Sequence, residues 1–173
     1  MAEGSGELSL DRILADREKR NGTVVSVDEP EVKLVVVALG EEWFAVPGDL
    51  VREVLPDCPV FYLPGCPASM DGVINVRGDI ETVIDLRGLL GISPPADRGR
   101  RILLCEAGGM RSGVRVDAVE EVMDVPQSRI QAPPQTVPES RRAVVTGIMS
   151  YRDRVVTVLG LGRMFEAYRA GLG

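Results

Sequence analysis

One segment of this chain occurs twice. Gly72-Val73-Ile74-Asn75-Val76-Arg77-Gly78-Asp79-Ile80-Glu81-Thr82-Val83-Ile84 returns 75 residues on as Gly147-Ile148-Met149-Ser150-Tyr151-Arg152-Asp153-Arg154-Val155-Val156-Thr157-Val158-Leu159. The glycine, the arginine, the threonine and the apolar positions coincide. A second echo, 68 residues apart, sets Val46, Asp49, Val51, Glu53 and Val54 on Val114, Asp117, Val119, Glu121 and Val122. Two matching units imply two similar sub-barrels. Neither unit is large enough to bury its own apolar face, so the two are expected to share a core.

The texture of both units is β. Aromatic residues are only 4% of the 173, so an aliphatic core is required, and valine dominates it. Valine's branched Cβ restricts χ1 and packs well on a pleated surface. Strands are expected near 32–39, 42–46, 73–77, 80–85, 101–106, 111–115, 148–151 and 154–158. A helical turn is expected at Gly48 to Leu55, with a counterpart from Asp117 to Met123. Pro56, Pro59, Pro64 and Pro67 make 56–67 an extended connection. Pro126, Pro133, Pro134 and Pro138 mark a second one. Leu161, Met164, Phe165 and Tyr168 fall at i, i+3, i+4 and i+7, which predicts a short C-terminal helix packed on the body. Residues 1–30 read as a tail, either partly disordered or a short docking helix carrying Leu10, Ile13 and Leu14 on one face.

Composition excludes several functions. A net charge of −6 repels nucleic acid and anionic lipid. The arginine clusters at 98–101 and at 141–142 read as solvated loops. With no histidine and three scattered cysteines, a zinc site, a histidine-based triad and a phospho-accepting histidine are all absent. No metal and no cofactor is expected. Met1 to Arg12 has no apolar stretch of signal-peptide type, and the longest apolar run, Leu34 to Leu39, is too short to cross a bilayer. The reading is a cytoplasmic protein.

Candidates for chemistry are few. Asp79, Glu81 and Asp85 are close in sequence, but a carboxylate pair needs a pocket that separates its two pKa values. Nothing around them suggests one. Cys58 and Cys66 lack neighbouring cations to lower a thiol pKa. Binding is the better reading. Arg77-Gly78-Asp79 and Arg152-Asp153-Arg154 read as hairpin turns, which place Arg77 and Arg152 at strand ends, open to a partner. A guanidinium there suits a bidentate contact with a carboxylate or with backbone carbonyls. Val51 and Val122, placed in the two expected helical turns, read as core when taken alone.

Three stretches resemble the CheW-like domain. The first is Leu34-Val35-Val36-Val37-Ala38-Leu39-Gly40-Glu41-Glu42-Trp43-Phe44-Ala45-Val46, followed by Val51-Arg52-Glu53-Val54. The second is Leu63-Pro64-Gly65-Cys66-Pro67, then Gly72 to Gly78, then Val83-Ile84-Asp85-Leu86-Arg87. The third is Gly113 to Val119, then Val122, then Gly147-Ile148. The resemblance runs from about Val32 to Phe165, and residues 31–173 are taken as the domain, two interleaved sub-barrels. It implies two five-stranded SH3-like β-barrels around a shared apolar core, with short helices including one at the C-terminus. It implies a non-catalytic adaptor that binds the helical cytoplasmic tip of a methyl-accepting chemoreceptor and the regulatory domain of a CheA-type histidine kinase. Receptor contact then falls in the groove between the barrels, on Arg77 with Val51 and Val122, which moves those two valines from core to groove lining. Kinase docking is barrel against barrel. The adaptor would associate with membrane-anchored receptor arrays through protein contacts alone. An alternative places the same scaffold in a non-motility pathway governing development, pili or gene regulation. Gly160, where a second acid matching Asp85 is usual, and the Pro47-Gly48 pair depart from the family pattern.

Overall fold

A computed structural model describes residues 29–93 and 101–171. The expected tail, apart from Glu29 and Pro30, lies outside them. Ten strands form two five-stranded sheets. The strands are β1 (Glu31–Leu39), β2 (Glu42–Pro47), β3 (Val51–Leu55), β4 (Met70–Val76), β5 (Asp79–Asp85), β6 (Arg101–Ala107), β7 (Met110–Val116), β8 (Ala118–Pro126), β9 (Val145–Tyr151) and β10 (Arg154–Leu159). Three short helices follow strands or loops: α1 (Leu86–Leu90), α2 (Glu139–Arg142) and α3 (Leu161–Gly171).

The sheet orders are β8-β1-β2-β10-β9 and β3-β6-β7-β5-β4. Each sheet combines a hairpin from one half of the duplication with three strands from the other. Each hairpin is joined on one side by a parallel pair, β2·β10 or β5·β7, and on the other by an antiparallel one, β1·β8 or β3·β6; the remaining pairs are antiparallel. This exchange explains the buried apolar run of β1. Leu34 and Val36 face a core within their own sheet, with Ala45, Val125, Met149, Val156 and Val158. Val35, Val37 and Leu39 face the opposite way, into a core that also receives Leu103, Cys105, Val114 and Val116 of the other sheet. The second sheet has its own inner core of Leu55, Ile74, Val83, Ile102 and Leu104. Alternation along a strand sends successive side chains to opposite faces, so a strand buried on both faces must be apolar throughout. The shared core expected from the small size of each unit is thus the layer between the two exchanged hairpins, closed below by Leu161, Met164, Phe165 and Tyr168 of α3 at the predicted helical spacing.

The ladders leave both sheets open, with β3 and β4, and β8 and β9, as edges. The chain then brings those edges together. Beyond β3, Phe61 exchanges two backbone hydrogen bonds with Val73 of β4, at 2.8 and 2.9 Å. Beyond β8, Gln131 does the same with Ile148 of β9, at 2.8 and 2.9 Å. These crossings explain why both copies of the repeat begin with glycine. A Cβ at Gly72 would lie 2.4 Å from the Phe61 carbonyl oxygen, and one at Gly147 would lie 2.5 Å from an Ile130 methyl group. A side chain would force the crossing segment away from its partner strand.

One expectation is corrected. The helical turns expected at 48–55 and 117–123 are strands over most of their length. Only Gly48–Leu50 is helical, as one 3-10 turn, and the second such turn is Gln127–Arg129. Val51–Leu55 pairs with β6, and Ala118–Pro126 pairs with β1. Both segments carry valines three apart, a helical spacing, and an irregularity in each ladder, at Val51–Glu53 and opposite Val36–Val37, brings the two valines of each strand onto one face. The ladder partners, invisible in a local window, settle the matter.

Candidate functional site

The edge strands β3 and β8 face each other across the seam between the sheets. β3 ends beside the start of β8: Asp57 and Arg101 line a cavity of about 490 Å³ together with Asp117, Ala118 and Val119. Val51 and Val54 stand opposite Cys105 and Leu103, both of the shared core. Val119 and Val122 stand opposite Val37 and Val35 of the same core. Val51 and Val119 pack against that core, whereas Val54 is 42% and Val122 52% exposed. The seam thus has an apolar floor and one exposed valine on each lip.

Of the residues singled out in the sequence, Val122 is on a lip, Val51 is on the floor, and Arg77 stands at the β4–β5 turn with its side chain 73% exposed. Val54, rather than Val51, is the exposed counterpart of Val122. The 68-residue echo already paired 54 with 122 and 51 with 119. The expected helical turns hid that, because a helix would have put Val51 and Val122 at equivalent late positions.

Arg77 is not idle. Its Nη1 donates to Glu53 Oε1 at 3.1 Å, and its Nη2 donates to Glu53 Oε2 in a second, shorter contact. The Arg77 hydrogen bonds hold the Glu53 carboxyl below its ordinary pKa, and the same contact raises that of Arg77. The bidentate carboxylate contact expected of a partner is made within the chain, from the β4–β5 turn to β3. It clips the two open edges of the second sheet. The first sheet has the duplicate: Arg152 Nη2 is 3.5 Å from Glu121 Oε2, and Tyr151 Oη donates to the same oxygen at 3.2 Å. Glu53 and Glu121 face the inner cores of their sheets, on the opposite strand face from Val54 and Val122. Both arginines have positive φ, 50° and 48°.

The carboxylates considered for catalysis are engaged structurally. Asp79 and Glu81 both reach Arg111, at 3.6 Å for Asp79 and closer for Glu81. Asp85 caps α1, accepting from Arg87 N at 3.0 Å. In the second half, a Cβ at the corresponding Gly160 would lie 2.8 Å from Thr146 Cγ2, so an acid at that position would have to displace the threonine side chain. Burial pushes the Cys105 thiol up to about 12. Burial, then the nearby Asp57 charge, raises the Cys58 thiol. Neither is set up as a nucleophile. Among the described residues there is no group of three metal-ligating side chains, and no helix is long and apolar enough to cross a membrane.

A buried polar pin holds the sheets on either side of the seam. Arg87 of α1 is 3% exposed and pairs with Asp117, between β7 and β8. The second oxygen of Asp117 accepts from Gly40 N at 2.5 Å, in the β1–β2 turn, and its own backbone N donates to Ala38 O at 3.0 Å. One carboxylate therefore ties the first sheet's hairpin to the second sheet's helix.

The model of the CheW-like domain matches residues 33–169. The probable chemotaxis protein CheW of Rhizobium etli is 29% identical over 144 residues, which is 83% of this chain and 93% of that protein. Protein PilI of Pseudomonas aeruginosa is 37% identical over 82 residues, 47% of this chain and 46% of that one. The crystal structure of the scaffolding protein TtCheW from Thermoanaerobacter tengcongensis superposes with a TM-score of 0.69 at 33% identity, covering 81% of this chain and 91% of that one. With two five-stranded sheets exchanged about a shared core and a domain match over residues 33–169, the protein belongs to the CheW-like family, a non-catalytic adaptor of chemosensory signalling.

Proposed function

We propose that this chain couples the helical cytoplasmic tip of a methyl-accepting chemoreceptor to the regulatory domain of a CheA-type histidine kinase. The observation that carries the reading is the seam: an apolar floor between the edge strands β3 and β8, with Val54 and Val122 exposed on its lips. A helix docks in such a groove through apolar anchors at i, i+3 and i+4, and a rim charge sets its register. Arg77 supplies that charge. The kinase's regulatory domain, of like fold, docks barrel against barrel on the outer hairpins β4–β5 and β9–β10. There, Ile80 and Val155 occupy corresponding positions of the two halves and are about two-thirds exposed, at 66% and 65%. The adaptor sits in the cytoplasm and reaches receptor arrays through these contacts alone.

Reconstitution with receptor tips and kinase tests this. Arg77→Glu and Val54→Asp are expected to weaken receptor binding and spare kinase binding, and Ile80→Asp to do the reverse. A folded Arg77→Glu protein with undiminished receptor affinity would show the assigned site to be wrong. A second reading, service in a non-motility pathway such as development, pili or gene regulation, draws support from the local 37% identity with Protein PilI. Capture of the native complex followed by mass spectrometry discriminates the two by identifying the kinase.

A further inference from the structure

The duplication lets each half serve as the reference for the other. Where β5 meets β7 in the second sheet, the polar side chains are matched within the chain. Arg111 pairs with Asp79 at 3.6 Å and more closely with Glu81. The hydroxyls of Thr82 and Ser112 lie 2.9 Å apart, in a hydrogen bond. The corresponding place in the first sheet is the β10·β2 pairing, where Val156 and Thr157 stand opposite Trp43 and Phe44. By the two repeat offsets, 75 and 68, Arg154 takes the place of Asp79, Val156 of Glu81, Trp43 of Arg111 and Phe44 of Ser112. The threonine is kept, as Thr157.

These exchanges leave the first sheet with polar groups that the chain itself does not use. A cleft of about 320 Å³ opens there, with Trp43, Phe44, Val155 and Thr157 among its lining. Four charged side chains also line it. Two of them, Glu42 and Arg141, neutralise each other at 3.3 Å, and Arg141 Nε donates to Leu90 O at 2.5 Å. The other two, Glu41 and Arg154, are exposed, and among the described residues neither is paired with an opposite charge. The Arg154 guanidinium lies 4.8 Å from the centre of the Trp43 ring, and its Nη1 donates to Glu41 O at 3.4 Å. A guanidinium held flat on an indole keeps its remaining donors for a carboxylate. The Thr157 hydroxyl, facing Phe44 where Thr82 has Ser112, makes no hydrogen bond among the described residues.

We propose that this cleft binds a free α-amino acid with an apolar side chain, its carboxylate on Arg154, its ammonium on Glu41 and its side chain against Phe44 and Val155. The charge balance selects a zwitterion. A simple anion would meet the uncompensated Glu41, and a simple cation would meet Arg154, whereas an amino acid satisfies both. Its two charges are one carbon apart, and the bond from Arg154 to the Glu41 carbonyl places the two partners at one rim. The volume sits at the small end of the range of about 300–1,000 Å³ usual for ligand sites, and the aromatic lining with a few polar groups has their usual character. Val155 is also one of the kinase contacts proposed above, so an occupant would lie at the edge of that surface. The ligand site itself depends on neither the kinase nor the receptor reading.

Trp43 is the chain's sole tryptophan, so its fluorescence reports on the cleft directly. Titration of the full chain with L-leucine is expected to give a saturable change. Isoamylamine, which lacks the carboxylate, and isocaproate, which lacks the ammonium, are each expected to bind about tenfold more weakly, the scale of one charge-assisted contact. Arg154→Gln is expected to weaken leucine binding by about the same factor and to erase the preference over isoamylamine, while keeping that over isocaproate. Glu41→Gln is expected to do the converse. Calorimetry repeats the Arg154→Gln titration, because loss of the guanidinium alters Trp43 emission by itself, and circular dichroism confirms that both variants fold. A leucine titration that does not saturate overturns the proposal, as does an unchanged leucine affinity in either folded variant. Isocaproate binding as tightly as leucine would make the cleft a plain carboxylate site, and the amino-acid assignment would fall.

Discussion

Asp117→Ala removes the only carboxylate paired with a buried guanidinium among the described contacts of Arg87. Breaking such a pair typically costs about 3–5 kcal/mol, because one charge stays behind without compensation. Asp117 is 27% exposed, so water can enter the vacated space, which places the loss at about 3 kcal/mol, the low end of that range. The Gly40 amide also loses its acceptor, but it lies in an exposed turn and can bond to water, adding under about 1 kcal/mol. For a chain of this size the sum lowers Tm by roughly 10 °C. Urea unfolding followed by tryptophan fluorescence measures it, since Trp43 is in β2 beside the affected turn. The double variant Arg87→Met/Asp117→Ala, which takes away both charges, is expected within about 1 kcal/mol of the wild type. A single variant that loses less than about 1 kcal/mol, or a double variant no better than the single, would refute the claim that this pair is a buried, mutually dependent pin.

Four further outcomes follow from particular contacts. Gly147→Ala should destabilise by about 2 kcal/mol or more through its clash with Ile130 and the crossing segment. Gly162→Ala in α3, with nothing within 4 Å of the added carbon, should instead stabilise by about 0.5–1 kcal/mol in the same denaturant assay. Thiol labelling at pH 8 should modify Cys58 and Cys66, which are partly exposed, and spare Cys105, with its pKa of about 12, until the protein unfolds. Glu53 has a lowered folded pKa, so its stabilising contribution is present above the ordinary carboxylate pKa and lost as pH falls through the folded value. The Tm difference between wild type and Arg77→Ala should therefore shrink as pH is lowered through the acid range, and a difference independent of pH would rule out the Arg77–Glu53 clip as its cause.

The amino-acid order alone settled what kind of object this is. The repeat implied two related units, their size required one common core, and the spacing of Leu161, Met164, Phe165 and Tyr168 marked the closing helix, because periodicity and burial are local consequences of side-chain geometry. The Asn-Val-Arg-Gly turn placed Arg77 at an exposed strand end for the same reason. Which hairpin joins which sheet, and hence which edges flank the seam, depended on pairings between residues far apart, such as Val83 with Gly113 and Val158 with Ala45. No window of sequence contains those pairings. They turned Val51–Leu55 and Ala118–Pro126 from helical turns into strands, set Val54 rather than Val51 across from Val122, and engaged Arg77 with Glu53. A β-strand's partner and exposed face are properties of the sheet it joins, so only the folded chain could assign them.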